Sequence, residues 1–181
     1  MTRYVAFLRA INVGGHTVKM EELRRHFAAF GIEGATTFIA SGNVLFEAAE
    51  ADSPALERRI ERGLHQALGY EVTTFVRSDA EIAAVAGFVP FPDATAAPGD
   101  TSYVLFLQQA PDAAVRRRVA ALSNDADQFR VHERELYWLR RGSLLESTVK
   151  DVEISRALGR AQTTSRNLNT VRRLAAKLHP A

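Results

Sequence analysis

Apolar positions follow two different periods along the chain, and the switches between them predict its elements. Residues 3–11 place Tyr4, Val5, Phe7 and Leu8 in a nearly continuous run of β-formers, a buried strand that Gly14-Gly15 ends. Over 19–30 the spacing becomes helical, with Met20, Leu23, Phe27 and Phe30 on one face and Gly31 as the stop. Strand patterns at 35–40 and 44–47 are joined by Ser41-Gly42-Asn43, read as a tight hairpin turn because Gly and Asn tolerate positive φ. Leu56, Ile60, Leu64 and Leu68, spaced by four, predict a helix over 53–68, and 71–77 is a fourth strand. The resulting order, βαββαβ, is that of a ferredoxin-like split βαβ unit.

A short helix over 78–88 leads into a segment with Pro90, Pro92, Pro98 and Gly99, read as a linker. The pattern then restarts with a strand at 102–108, a helix at 111–122, a hairpin from 128–132 and 135–140, and a helix at 146–158. Thr163-Thr164-Ser165-Arg166-Asn167 stands where a last strand belongs but has no apolar alternation. The expectation is an α+β protein: a ferredoxin-like unit at 1–88, a linker at 89–100, and a degenerate βαββα half with an extra C-terminal helix at 101–181. The halves repeat an order of elements with little residue identity.

With 46% hydrophobic residues in 181, the chain can bury a sizeable core. The absence of cysteine excludes disulfides and thiolate chemistry. The start Met1-Thr2-Arg3-Tyr4 has no secretory pattern, and no apolar run spans a membrane, so the expected setting is cytoplasmic, with no membrane partner. From Lys150 onward seven Lys and Arg face two acids, a basic end on a mildly acidic body.

The predicted topology also places candidate chemistry. In a βαββαβ unit the exit of the first strand and the hairpin between the second and third strands lie at one edge of the sheet. Arg9-Ala10-Ile11-Asn12-Val13-Gly14-Gly15 and Ser41-Gly42-Asn43 are thereby expected to be neighbours. Backbone N–H groups entering a helix favour an anion. Arg9 offers a fork for phosphate or carboxylate. Asn12, Ser41 and Asn43 add neutral hydrogen bonds, Lys19 a further charge, and Gly14, Gly15 and Gly42 close backbone approach. The plain alternative is that both glycine stretches are turns, since neither dinucleotide nor P-loop spacing occurs. No nucleophile elbow or metal-ligand spacing accompanies them, and of the five histidines only His16 lies in the loop. RNA-recognition modules share the element order, but their aromatic third-strand motif is lacking. The expectation is a small-ligand-binding protein or enzyme, with an anionic, phosphate- or nucleotide-like ligand. Nucleic-acid binding through the basic C-terminal helices, or a protein–protein interaction domain using a sheet face or strand edge, stand behind it.

Three blocks carry a family resemblance: Leu8-Arg9-Ala10-Ile11-Asn12-Val13-Gly14-Gly15, Ser41-Gly42-Asn43-Val44-Leu45-Phe46, and Thr164-Ser165-Arg166-Asn167 with Thr170-Val171. Together they resemble the signature of the bacterial domain-of-unknown-function family 1697, with Ala10 where that family usually has glycine. The resemblance implies a ferredoxin-like N-terminal unit with an α+β extension and assigns no biochemical role. It also singles out Arg166 and Asn167 as companions of the two N-terminal blocks in the ligand-binding set.

Overall fold

The structure is a computed structural model that describes residues 1–12, 14–15, 17–94, 97–142 and 148–179, apart from the side chains of Ala40 and Ser41. The chain forms two compact units, Met1–Ala84 with Leu174–Ala181, and Val85–Arg173. Its described elements are two four-stranded antiparallel sheets and six helices, a mixed α+β fold.

The first stretch runs β1 (Thr2–Leu8), α1 (Met20–Ala29), β2 (Thr36–Phe38), β3 (Ala40–Ala48), α2 (Ser53–Leu68), β4 (Thr74–Ser78) and α3 (Asp79–Gly87). Strand order is β2-β3-β1-β4. Alternation along β1 sends Tyr4, Ala6 and Leu8 to one face, where they join Val44 and Phe46 of β3 and Val76 of β4. Leu23 and Phe27 of α1 and Leu56, Ile60 and Leu64 of α2 complete this core, each side chain contributing roughly 1.5–3 kcal/mol by leaving water. Gly63 lets the two helices meet: a Cβ there would lie 2.2 Å from the Phe30 ring.

β4 is an outer strand, so alternate N–H groups point away from the sheet and need other partners. Three carboxylates supply them. Glu61 accepts from the Thr74 N–H at 2.9 Å, Glu57 from Val76 at 2.9 Å, and Glu81 from Ser78 at 2.8 Å. The Arg77 Nη1 donates to the Val76 carbonyl at 2.9 Å and lies 4.0 Å from the Glu57 carboxylate. Arg77 and Glu57 are 1% and 3% exposed, so the pair closes the edge from inside the protein. This edge is thereby spent and offers no template to another strand.

The hairpin differs from its expected form. Ser41, Gly42 and Asn43 lie inside β3, and the chain reverses at Ile39, with Phe38 facing Ala40 and a register shift after Thr37. Ile39 takes φ +66, a conformation that β-branched residues rarely adopt. Asn43 clasps the turn, its Nδ2 donating to the Phe38 carbonyl at 3.1 Å. Asn43 is buried, which explains why a polar residue sits in a strand.

The second stretch runs β5 (Thr101–Phe106), α4 (Ala113–Ala120), β6 (Asp127–His132), β7 (Glu135–Arg140), α5 (Asp151–Ala157), β8 (Thr164–Asn167) and α6 (Leu168–Leu178), with strand order β6-β7-β5-β8. The last strand, expected to be missing, is therefore present. β8 pairs with β5 over four residues, and its polarity hid it because only Thr164 is buried. The helix expected from 146 begins at Asp151; residues 143–147 lie outside the described part.

The registers also expose a repeat of residues. Thr2-Arg3-Tyr4-Val5-Ala6-Phe7-Leu8 and Thr101-Ser102-Tyr103-Val104-Leu105-Phe106-Leu107 agree at five of seven positions. Val5 faces Arg77, and Val104 faces Arg166. Each arginine donates to the carbonyl just before it, Arg166 to Ser165 at 2.7 Å.

Within the second unit, Asp127 is fully buried and accepts from the Trp138 indole at 2.8 Å and the Thr148 N–H at 3.2 Å. The segment 88–100 is tied at both ends. At one end Phe88 stacks on His132 at 4.1 Å, and Arg130 donates to the Pro90 carbonyl at 3.0 Å. At the other, the Asp100 carboxylate accepts from Ala97 and Gly142 N–H groups and pairs with Arg141. Those two N–H bonds, then Arg141, hold its pKa below the ordinary value.

Three outcomes follow from this architecture. Arg77→Met should cost about 3–5 kcal/mol in urea unfolding, because it strands the buried Glu57. Adding Glu57→Gln should restore part of that loss; strictly additive losses would refute the coupling. For Asp100 the folded pKa lies below the unfolded one, so its stabilisation is present above 3.8 and vanishes as pH falls through the lowered value. Asp100→Asn should thus be less stable than wild type at pH 7, with melting curves converging below that window. Ile39→Gly should raise stability by about 1 kcal/mol by relieving strain, and a loss would show that the turn is unstrained.

Candidate functional site

The strands bring two of the sequence-marked blocks to one edge of the first sheet. The last pair between β1 and β3 is Phe7 with Asn43, and β1 meets β4 at Leu8 with Thr74. Arg9 follows at once, exposed, with its N–H on the Thr73 carbonyl at 2.9 Å. Ser41 and Gly42 begin β3 at the same edge, Gly42 half-buried.

Beyond Arg9 the chain turns sharply. Ala10 has φ +57, which gives the glycine usual at this position in the resembled family a conformational reason. Ile11 is buried in the core, and its carbonyl accepts from the Tyr70 hydroxyl at 3.1 Å. Burial, with a smaller effect from Glu22, pushes the Tyr70 pKa up, so the phenol stays a donor at neutral pH. The Asn12 Oδ1 accepts from the Val18 N–H at 2.7 Å and closes the base of a loop. At its tip Gly14 and Gly15 are exposed with φ +70 and +87, while a Cβ on either would meet nothing within 4 Å. Their φ angles, rather than crowding, require glycine. Val13 and His16 lie outside the described residues.

The loop delivers the chain to α1. Lys19 is its N-cap residue, extended and exposed, and its own side chain makes no cap bond. The equivalent helix of the second unit, α4, is capped by Asp112, whose carboxylate accepts from the Val115 N–H at 2.7 Å. The two units thus differ in whether the N-cap residue itself supplies the cap, although α1 carries Glu21 and Glu22 in its first turn.

Arg166 and Asn167 belong to the second unit. Arg166 is half-buried on β8, donates to the Thr164 hydroxyl at 2.8 Å, and has its pKa lowered to about 10 by burial, so it stays charged at neutral pH. Asn167 caps α6, its Oδ1 accepting from the Asn169 N–H at 2.8 Å. Asn12 and Asn43 likewise have structural duties, which the sequence did not separate from binding. Tyr70 and Ile39 were missed, since nothing in their local sequence marks a contact with a distant loop or a positive φ.

Among the described residues no cluster of three or more His, Asp or Glu could hold a metal, and no helix is long and apolar enough to cross a membrane.

The fold resembles the solved structure of the conserved bacterial protein SP0830 from Streptococcus pneumoniae, with a TM-score of 0.71, 21% identity and 98% of each chain covered. At that identity the likeness is one of fold alone. No curated protein matches the chain. The family described as Protein of unknown function (DUF1697) matches residues 1–137, a span that contains the Arg9 and Ser41 blocks and ends before Arg166. With most of its length matched, the chain belongs to the DUF1697 family.

Proposed function

We propose that the edge carrying Arg9, the Asn12–Gly15 loop, Lys19 and Ser41–Asn43 binds a small anionic ligand, phosphate- or nucleotide-like, as a cytoplasmic binding protein or an enzyme acting on that ligand. We also read both units as ferredoxin-like modules, because each has βαββαβ order with its first strand between the third and fourth.

One observation carries the ligand reading: the N-cap residue of α1, Lys19, makes no side-chain cap bond, whereas Asp112 caps its counterpart α4; Glu21 and Glu22 in the first turn of α1 supply part of the negative charge there. Up to four N–H groups at a helix start lack intrahelical partners, and the helix dipole favours negative charge there. Arg9 and Lys19 are exposed at this end and would add charge-assisted contacts. Exposed Gly14 and Gly15 leave room for a ligand to approach the backbone.

Thermal unfolding with pyrophosphate and ATP at two salt concentrations tests the reading. The melting temperature should rise, corresponding to about 2.7 kcal/mol at a hundredfold excess over Kd. The rise should disappear in Arg9→Ala, whose ligand-free melting temperature stays near wild type. No rise, or an Arg9→Ala protein that fails to fold, would make this edge structural. A response only to oligonucleotides at low salt, lost in Arg172→Ala with Arg173→Ala, would favour the exposed basic face of α6 instead.

A further inference from the structure

The second unit contains a cavity of about 500 Å³ between segment 90–94 and the outer strand β6. β6 ends its sheet, so its outward backbone groups are available for pairing. Part of that edge is filled locally: Ser123 Oγ accepts from the Phe129 N–H, and Asn124 Oδ1 from the Asp127 N–H. Segment 90–94 covers the remainder, but Pro90 and Pro92 have no N–H to donate, so it cannot add as a regular strand. A gap remains where a ladder would otherwise close.

The gap has two kinds of wall. Phe91 and Pro92 give it apolar surface, with buried Pro90 and Phe129 reaching it only at their edges. Gln128 and Arg130 give it donors. Arg130 spends Nη1 on the Pro90 carbonyl and sets its guanidinium 5.9 Å from the centre of the Phe88 ring. Neither partner is a carboxylate, and a guanidinium has five N–H donors, so donor capacity remains on Arg130, with the exposed Asp93 carboxylate elsewhere in the lining. Arg141, also at the rim, is neutralised by Asp100. The volume lies within the roughly 300–1,000 Å³ of small-molecule sites, and six of the eleven lining residues are polar or charged, which suits a polar ligand.

We infer that this cavity binds a small molecule joining a planar ring to an anionic group, with the ring against Phe91 and the exposed rim of Phe129 and the anion on Arg130. The inference is independent of the anion edge in the first unit, since every lining residue belongs to the second.

The protein carries its own reporter. Trp138, its one tryptophan, stacks on Phe129 with ring centres 5.6 Å apart and planes at 20°. Titrating the full chain with phenyl phosphate should change Trp138 fluorescence saturably, and inorganic phosphate should bind at least about tenfold more weakly. Ala94→Leu, which fills part of the cavity, and Arg130→Gln should each weaken binding by about tenfold or more. Arg9→Ala should leave it unchanged. If Arg130→Gln lowers the melting temperature, Ala94→Leu and Gln128→Ala decide the matter. No saturable change, equal binding of inorganic phosphate, or undiminished binding in Ala94→Leu would overturn the site.

Discussion

The Glu57–Arg77 pair closes the outer edge of β4, and the placement of the candidate binding edge depends on it. Glu57 and Glu61 reach from α2 to β4 and fix the strand against the helix through its otherwise unpaired N–H groups. β4 in turn receives the Arg9 N–H through Thr73, and Tyr70, just before β4, holds the Ile11 carbonyl. The exit of β1 therefore hangs on a strand that carboxylates locate. Burying an ion pair rarely adds net stability, because desolvating both charges offsets most of their attraction. Its value here is geometric: it satisfies an edge N–H and an edge carbonyl at once, which a pair of apolar side chains would leave bare.

Three of the four outer strands are managed by different devices. Carboxylates cover β4, Arg166 turns back onto the carbonyl of its own strand on β8, and a proline-bearing segment runs along β6. The last device has a different consequence from the first two. Side chains that donate or accept can fill an edge completely, whereas a proline-bearing segment covers it without pairing and leaves space. The cavity beside β6 is thus a product of the same constraint that the carboxylates satisfy on β4.

The two units share a plan down to the first strand, yet diverge at the start of the helix that follows. Asp112 caps α4 with its carboxylate, while α1 begins at Lys19, whose side chain makes no cap bond, and carries Glu21 and Glu22 in its first turn. Ala10, Gly14 and Gly15 at positive φ allow the chain to turn sharply enough to reach that start.

Most of the first unit was legible because its elements advertise themselves by period. Tyr4, Val5, Phe7 and Leu8 have no helical alternative consistent with the glycines after them, and the four-residue spacing of Leu56, Ile60 and Leu64 has no strand alternative. The family blocks were legible for a related reason, since glycine and asparagine at turns are dictated locally. β8 was not, because an edge strand held by backbone bonds and an arginine needs no apolar alternation. The β2–β3 reversal was misplaced by three residues: Ser41-Gly42-Asn43 look like a turn, but Asn43 pairs with Phe7 of β1, and the reversal falls on Ile39. By itself, then, the sequence determined the helices and the apolar strands and which loops carry charge and glycine, since these follow from contacts within a few residues. Only the tertiary structure decided that Arg77 is buried against Glu57, that Asn12 and Asn43 serve as clasps, and that a cavity opens beside β6. Each of those depends on partners brought together by strand register, which local sequence does not encode.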